Sequence, residues 1–173
     1  MKTLVAISVL GLSIVIHASG LTYAVPAGWK PVATTSSMRV AQFALPRAAG
    51  DSQDGELVVY YFGGAGGTVE ANIDRWVGQM QQPDGRPSAA AMSRQARTIN
   101  GLKVTLVDVA GTYIAEMTPG ASERHHDANF RLRAAVVETA NGAYYIKLTG
   151  PAKTIGAREK EFESFLASVK FTP

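Results

Sequence analysis

Hydrophobic and polar positions along the chain follow two periods, and the points where one gives way to the other delimit the elements. Leu21-Thr22-Tyr23-Ala24-Val25 alternates residue by residue and predicts a short strand, ended by Pro26-Ala27-Gly28. Met38 to Leu45 reads as a second strand stopped by Pro46, and Arg47 to Gly55, rich in Gly, Ala and Asp, as a loop. Glu56 to Phe62 (ELVVYYF) is almost continuously apolar and β-prone, the pattern of a central strand covered on both faces. After Gly63-Gly64-Ala65-Gly66-Gly67 the period becomes helical: Val69, Ile73, Trp76, Val77 and Met80 form one apolar stripe. The helix is predicted over Thr68 to Gln82, with Thr68 as N-cap and Glu70 in the first turn. Pro83-Asp84-Gly85-Arg86-Pro87 ends it.

Two Asn-Gly pairs organise the second half. Asn100-Gly101 joins Ser93–Ile99 to Leu102–Tyr113, and Asn141-Gly142 joins Phe130–Thr139 to Ala143–Thr149. Asn-Gly between β-prone runs predicts hairpins, because a type I′ turn needs positive φ at both central residues. Glu116 to Asn129 is a polar loop between them. Gly150-Pro151 closes the last long strand, and a second helix from Thr154 to Val169 carries Ile155, Phe162, Phe165, Leu166 and Val169 on one face. Strands and helices do not alternate, so a doubly wound parallel sheet is disfavoured. The order predicts an α+β fold: a single-domain α/β/α sandwich with an antiparallel or mixed sheet of about six to seven strands and two main helices packed on it.

Ahead of this domain, Lys2 and the apolar run Leu4 to Ile16, followed by Ala18, Ser19 and Gly20, have the three-part grammar of a secretory signal peptide. The run is shorter than the roughly 20 apolar residues that span a bilayer. The reading is a signal peptide over 1–20, cleaved after Ala18 or Gly20, and a mature domain over 21–173. The expected location is periplasmic or secreted, with no stable membrane insertion after the signal is removed. The alternative is a membrane-tethered accessory protein that keeps the segment as an anchor.

Composition narrows the function. Cysteine is absent, which excludes a lipid-anchored lipoprotein and any disulfide. Lys and Arg number 17 against 14 Asp and Glu, a net charge of +3 with no basic run. Nucleic-acid binding is therefore not motivated.

Tyr23-Ala24-Val25-Pro26-Ala27-Gly28-Trp29, a strand running into a P-x-G-W turn, resembles the opening of the PsbP-like superfamily. Asn72-x-x-Arg75-Trp76 and Tyr144-Tyr145-Ile146-Lys147-Leu148-Thr149-Gly150-Pro151 are similar to segments of its bacterial members. The superfamily includes photosystem II extrinsic proteins, a Ran-binding nuclear import factor and many secreted bacterial proteins. The resemblance implies an antiparallel sheet sandwiched by helices, and binding or assembly rather than catalysis. No metal-binding or partner-binding residue of the plant proteins has a counterpart here.

Constellations for chemistry are sparse. The loop Gly63 to Gly67 stands where phosphate cradles occur, but Thr68 and Val69 follow it in place of the Lys of a P-loop. His125-His126-Asp127, with Glu123 just before, is the one cluster of metal-ligand types and lacks the spacing of a known zinc motif. Asp108 reads as an outward residue of an alternating strand. Arg75, beside the stripe residue Trp76, and Lys147, inside an aromatic-rich strand, are candidates for a ligand or structural role. A lysine between Ile146 and Leu148 is expected to snorkel to the surface or to meet a buried acid. The reading is an exported, non-enzymatic binding or assembly module without cofactor, with an extracytoplasmic protein as partner. The enzymatic alternative is a metal-dependent hydrolase using His125, His126 and Asp127.

Overall fold

In the computed structural model, residues 20–34 and 36–173 are described together with the backbone of 14–18; of the predicted signal peptide, 1–13 and 19 lie outside the described residues. The strands are β1 (Ile14–Ala18), β2 (Leu21–Val25), β3 (Lys30–Pro31), β4 (Arg39–Leu45), β5 (Gly55–Tyr61), β6 (Met80–Gln81), β7 (Ser93–Ile99), β8 (Leu102–Tyr113), β9 (Asp127–Thr139), β10 (Gly142–Pro151) and β11 (Lys170–Phe171). The helices are α1 (Val69–Val77), α2 (Ser88–Ala91), α3 (Ala152–Ala157) and α4 (Glu159–Ala167).

The main sheet runs β3-β4-β5-β10-β9-β8-β6, with β7 also on β8, and every pairing is antiparallel. Short β3 and β6 bring it to 8 strands, more than the sequence predicts. A smaller sheet, β1-β2-β11, stands apart from it. Strand alternation sorts the core into two layers. Leu57, Val59, Val104, Leu106, Ala135, Val137, Ile146 and Leu148 pack with β2, α3 and α4; Val107, Val109, Leu132, Ala134, Val136 and Tyr145 pack with Ile73, Trp76 and Val77 of α1. The helices therefore cover opposite faces, as a sandwich requires.

Local signals explain the elements, and the departures have physical causes. The Thr68 hydroxyl accepts from Ala71 N at 3.1 Å and caps α1. The helix stops at Val77 instead of Gln82, because Met80 and Gln81 pair with Tyr113 and Thr112 while Ile114 N donates to the Gln79 carbonyl at 2.8 Å. Gly111 permits this approach: a Cβ there would stand 2.6 Å from the Gln81 carbonyl oxygen. The predicted second helix breaks at Arg158, whose Nε and Nη2 donate to the Pro46 carbonyl at 3.0 and 2.9 Å. Asn100 and Gly101 have φ of 49° and 82°, the predicted I′ turn. The other hairpin is shifted by one residue: Thr139 pairs with Gly142, and the Thr139 hydroxyl accepts from Asn141 N at 3.2 Å.

Candidate functional site

Residues of alternate strands converge on the α1 face of the sheet, beside the C-terminal end of that helix. Odd-numbered positions of β10 point to this face, which puts Lys147 next to Tyr145 and opposite Val58 of β5. Lys147 is only 8 % exposed. Its Nζ donates to Gln79 Oε1 at 2.6 Å and to the Tyr113 hydroxyl at 3.2 Å, and lies 5.2 Å from the Tyr113 ring centroid. The lysine thus neither snorkels nor meets a buried acid; its hydrogen-bond acceptors are neutral. Burial pushes its pKa down to about 8, with Glu56 opposing the shift and Arg39 and Arg75 adding to it.

Tyr113 links Lys147 to the histidine loop. Its ring stacks on Phe130 with centroids 5.8 Å apart and lies 5.1 Å from the His125 ring. Burial, reinforced by Glu56 and Tyr60, pushes its hydroxyl up to about 12, so it stays protonated at neutral pH. His125 Nδ1 is 3.0 Å from Asp127 Oδ2, whereas His126 is exposed. Among the described residues no group of three His, Cys, Asp or Glu could hold a metal ion. On the other side of Lys147, Gln42 Nε2 donates to Glu56 Oε1 at 2.6 Å, and Arg39 lies 3.8 Å from the same oxygen and over the Tyr60 ring. Lys147, His125 and Asp127 are therefore brought into one polar patch, through Tyr113.

Arg75 belongs to a different motif. Its Nη2 donates to Asn72 Oδ1 at 2.5 Å; Asn72, buried, donates in turn to the carbonyls of Gly66 at 2.6 Å and Thr68 at 2.9 Å. The N-x-x-R-W motif thus stitches the glycine loop to the first turn of α1, and Trp76 meets Tyr145 edge-on at 5.9 Å. A cleft of about 270 Å³ opens over this loop, lined by Phe62, Thr68, Val69, Glu138 and Tyr145 among others.

The opposite face holds an ionic cluster that the sequence reading missed. Arg131 grips Asp108 with two hydrogen bonds of 2.8 and 2.5 Å. Arg133 lies 3.2 Å from Asp108, 3.2 Å from Glu159 and 2.9 Å from Glu163, with its guanidinium over the Phe162 ring. Arg97 reaches the other oxygen of Glu163 at 2.7 Å. Burial alone would raise the Glu163 pKa, but hydrogen bonds from Arg97 and Arg133 outweigh it and hold the carboxyl below its usual range. The signal was present in the alternation of Phe130-Arg131-Leu132-Arg133, which puts both arginines on one face, opposite the i, i+4 pair Glu159 and Glu163.

The loops divide between the two ends of the sheet. Tyr61 pairs with Tyr144, so loop 63–67 lies at the end of the hairpin turns. Loop 83–87 and loop 114–126 follow Gln81 and Tyr113 at the other end. There Glu116 bridges Arg124, and Met117 is 55 % exposed.

No protein-family model matches the chain, and no curated protein sequence does. Solved structures do resemble it. Cyanobacterial PsbP from Synechocystis matches with a TM-score of 0.52 at 10% identity, over 98% of this chain and 99% of its own. A protein of unknown function from Pseudomonas aeruginosa matches with a TM-score of 0.52 at 13% identity, over 94% and 99%. LpqN of Mycobacterium tuberculosis, involved in cell envelope biogenesis, matches with a TM-score of 0.50 at 11% identity, over 94% and 91%. The chain has the PsbP-like fold; at these identities the likeness is one of architecture.

Proposed function

We propose that this chain is an exported, non-enzymatic accessory protein of the cell envelope that acts by binding a protein partner outside the cytoplasm. The observation that carries the reading is the use of the candidate metal-binding and ligand-binding groups as structural ties. His125 is engaged with Asp127, Lys147 holds Gln79 and Tyr113, and Arg75 completes Asn72. The likeness to LpqN, a protein involved in cell envelope biogenesis, and the leader-like N-terminus support the location. Among the described residues no helix is long and apolar enough to cross a membrane. The binding surface is the sheet end that carries loops 83–87 and 114–126, since loops held by a rigid scaffold serve recognition.

Photo-crosslinking in cells tests this. A crosslinking residue at Met117 should give one dominant protein adduct, and one at exposed Lys103 on β8, at the hairpin-turn end, should not. Absence of any adduct, together with hydrolysis in a broad substrate screen that His125→Ala abolishes, would establish the enzymatic reading instead.

A further inference from the structure

Strand β1 lies inside the leader that the sequence predicts, yet it pairs with β2 along its whole length: Ile14 opposite Val25, Ile16 opposite Tyr23 and Ala18 opposite Leu21. The other edge of β2 is occupied by β11 at Leu21 and Thr22. Past that point Ala24 N donates to Ser168 Oγ at 2.8 Å, and on the same side Thr172 N donates to the Gly20 carbonyl. In an antiparallel strand both backbone groups of a residue point to one side, and successive residues alternate. Gly20 and Ala24 face β11 and the end of α4, so Tyr23 and Val25 present their N–H and C=O groups to β1. The side chains of these two residues are 1 % and 7 % exposed and belong to the main core. Removal of the leader therefore leaves unpaired backbone on a strand that the core holds in place.

That edge is not built to stay open. Natural edge strands carry charges or proline that discourage further pairing. Strand β7, paired only with β8 among the described residues, obeys the rule with Arg94 and Arg97. Leu21-Thr22-Tyr23-Ala24-Val25 has neither a charge nor a proline. It has the composition of an interior strand.

We propose that β2 of the processed protein is an acceptor edge, to which an extended apolar segment of a partner protein adds as an antiparallel strand. β1 keeps the place until processing. The occupant's chemistry is read from the place-holder: Ile14-Val15-Ile16-His17-Ala18 is uncharged and begins with three β-branched residues, the composition that strand addition favours. This goes beyond the loop surface of the proposed function by adding a second binding surface and its kind of ligand, and it rests on removal of the leader.

Amide hydrogen exchange on the protein purified from the extracytoplasmic fraction tests the proposal, after the mass of its N-terminus is measured. An N-terminus near Ser19 or Leu21 is expected; an intact Met1 refutes the leader reading and the proposal with it. In the processed form Tyr23 and Val25 amides should exchange at least tenfold faster than in the full chain, while Val59 and Ile146 stay protected. A synthetic peptide of residues 12–20 should bind one to one and restore slow exchange. The same peptide with Ile16→Pro, which lacks the N–H facing Tyr23, should not bind. Protected Tyr23 and Val25 amides in a processed monomer, or a peptide that fails to bind, overturn the acceptor edge while leaving export intact. Protection in a dimer assigns the edge to a second copy and overturns a foreign strand. Ile16→Pro in the full chain is the second check: exchange should rise at Tyr23 and Val25 alone, and a rise at Val59 and Ile146 as well would make β1 part of the core and refute the place-holder.

Discussion

Lys147 Nζ donates to Gln79 Oε1 at 2.6 Å, so an ammonium buried in the central sheet is held by a neutral amide just past α1. Its pKa, lowered from 10.5 to about 8, makes the charge a cost to folding. The unfolded chain binds the proton up to pH 10.5 and the folded chain only to about 8, so stability rises as pH increases through that window. The full linkage is on the order of 3 kcal/mol, and a Met variant forfeits part of it because Gln79 Oε1 and the Tyr113 hydroxyl lose their donor. Lys147→Met should therefore raise stability at pH 7 by about 1–2 kcal/mol, since an apolar side chain avoids the burial of charge. It should also flatten the gain between pH 8 and 10. Urea midpoints at pH 7 and 9.5 check this; a destabilised variant at pH 7 would show that the ammonium is a net tie.

Tyr23 presents the reverse case. Its hydroxyl is buried without a hydrogen-bond partner among the described residues, and burial pushes its pKa up to about 12. The folded value exceeds the unfolded value of 10.0, so its contribution is complete below pH 10 and is lost as pH rises towards 12. Tyr113 behaves alike. Stability should peak between the Lys147 and tyrosine transitions, near pH 9–10. Tyr23→Phe removes an unsatisfied hydroxyl and should add about 1 kcal/mol at neutral pH. Thermal melts across pH 7 to 11 read both effects, and a loss of stability in Tyr23→Phe would reveal an undetected partner for the hydroxyl.

Asn72 ties loop 63–67 to α1 through two donated bonds and one accepted from Arg75. Asn72→Ala should cost about 1–2 kcal/mol, because the Gly66 and Thr68 carbonyls lose the donor that the buried Asn72 side chain supplies. Asn72→Asp should cost more, since a carboxylate would face those carbonyls. Arg75→Ala, at an exposed position, should cost under about 1 kcal/mol. Denaturant midpoints establish the order; equal costs for the Asp and Ala variants would mean that Asn72 only fills space.

Local rules made much of this fold legible. The Trp76 stripe, the Thr68 cap and the Asn100-Gly101 turn each depend on residues a few positions apart, and the structure carries them as expected. The break at Arg158 needed the Pro46 carbonyl, 112 residues earlier. The surroundings of Lys147 needed Gln79 and Tyr113, brought together when β6 docks at the far end of β8. The sequence marked Lys147 as a residue that would snorkel or meet a buried acid, and could not name the neutral neighbours it has instead. The same distance hid the partners of Asp108, which a periodic reading assigns to an ordinary outward position.

The Asp108 cluster allows a test of what such a network contributes. It sets Arg97, Arg131 and Arg133 against Asp108, Glu159 and Glu163, so its formal charges balance. Arg133 is the buried member, 5.1 Å over the Phe162 ring centroid, while Glu159 and Glu163 keep enough exposure to hydrate on their own. Removing Asp108 leaves two guanidinium groups short of a counter-charge in a poorly hydrated place. Asp108→Asn should therefore cost about 2–3 kcal/mol, below the full penalty for breaking a buried pair because the aspartate is partly exposed. Arg133→Met keeps the contact with Phe162, avoids burying a cation and frees carboxylates that water can reach, so it should cost under about 1 kcal/mol. High salt should leave the Asp108→Asn deficit nearly unchanged, since screening reaches exposed pairs such as Arg97–Glu163 far more than Arg133. Urea unfolding of both variants at low and high salt measures these terms. A larger loss in Arg133→Met than in Asp108→Asn would show that the buried guanidinium stabilises the sheet–helix contact in its own right.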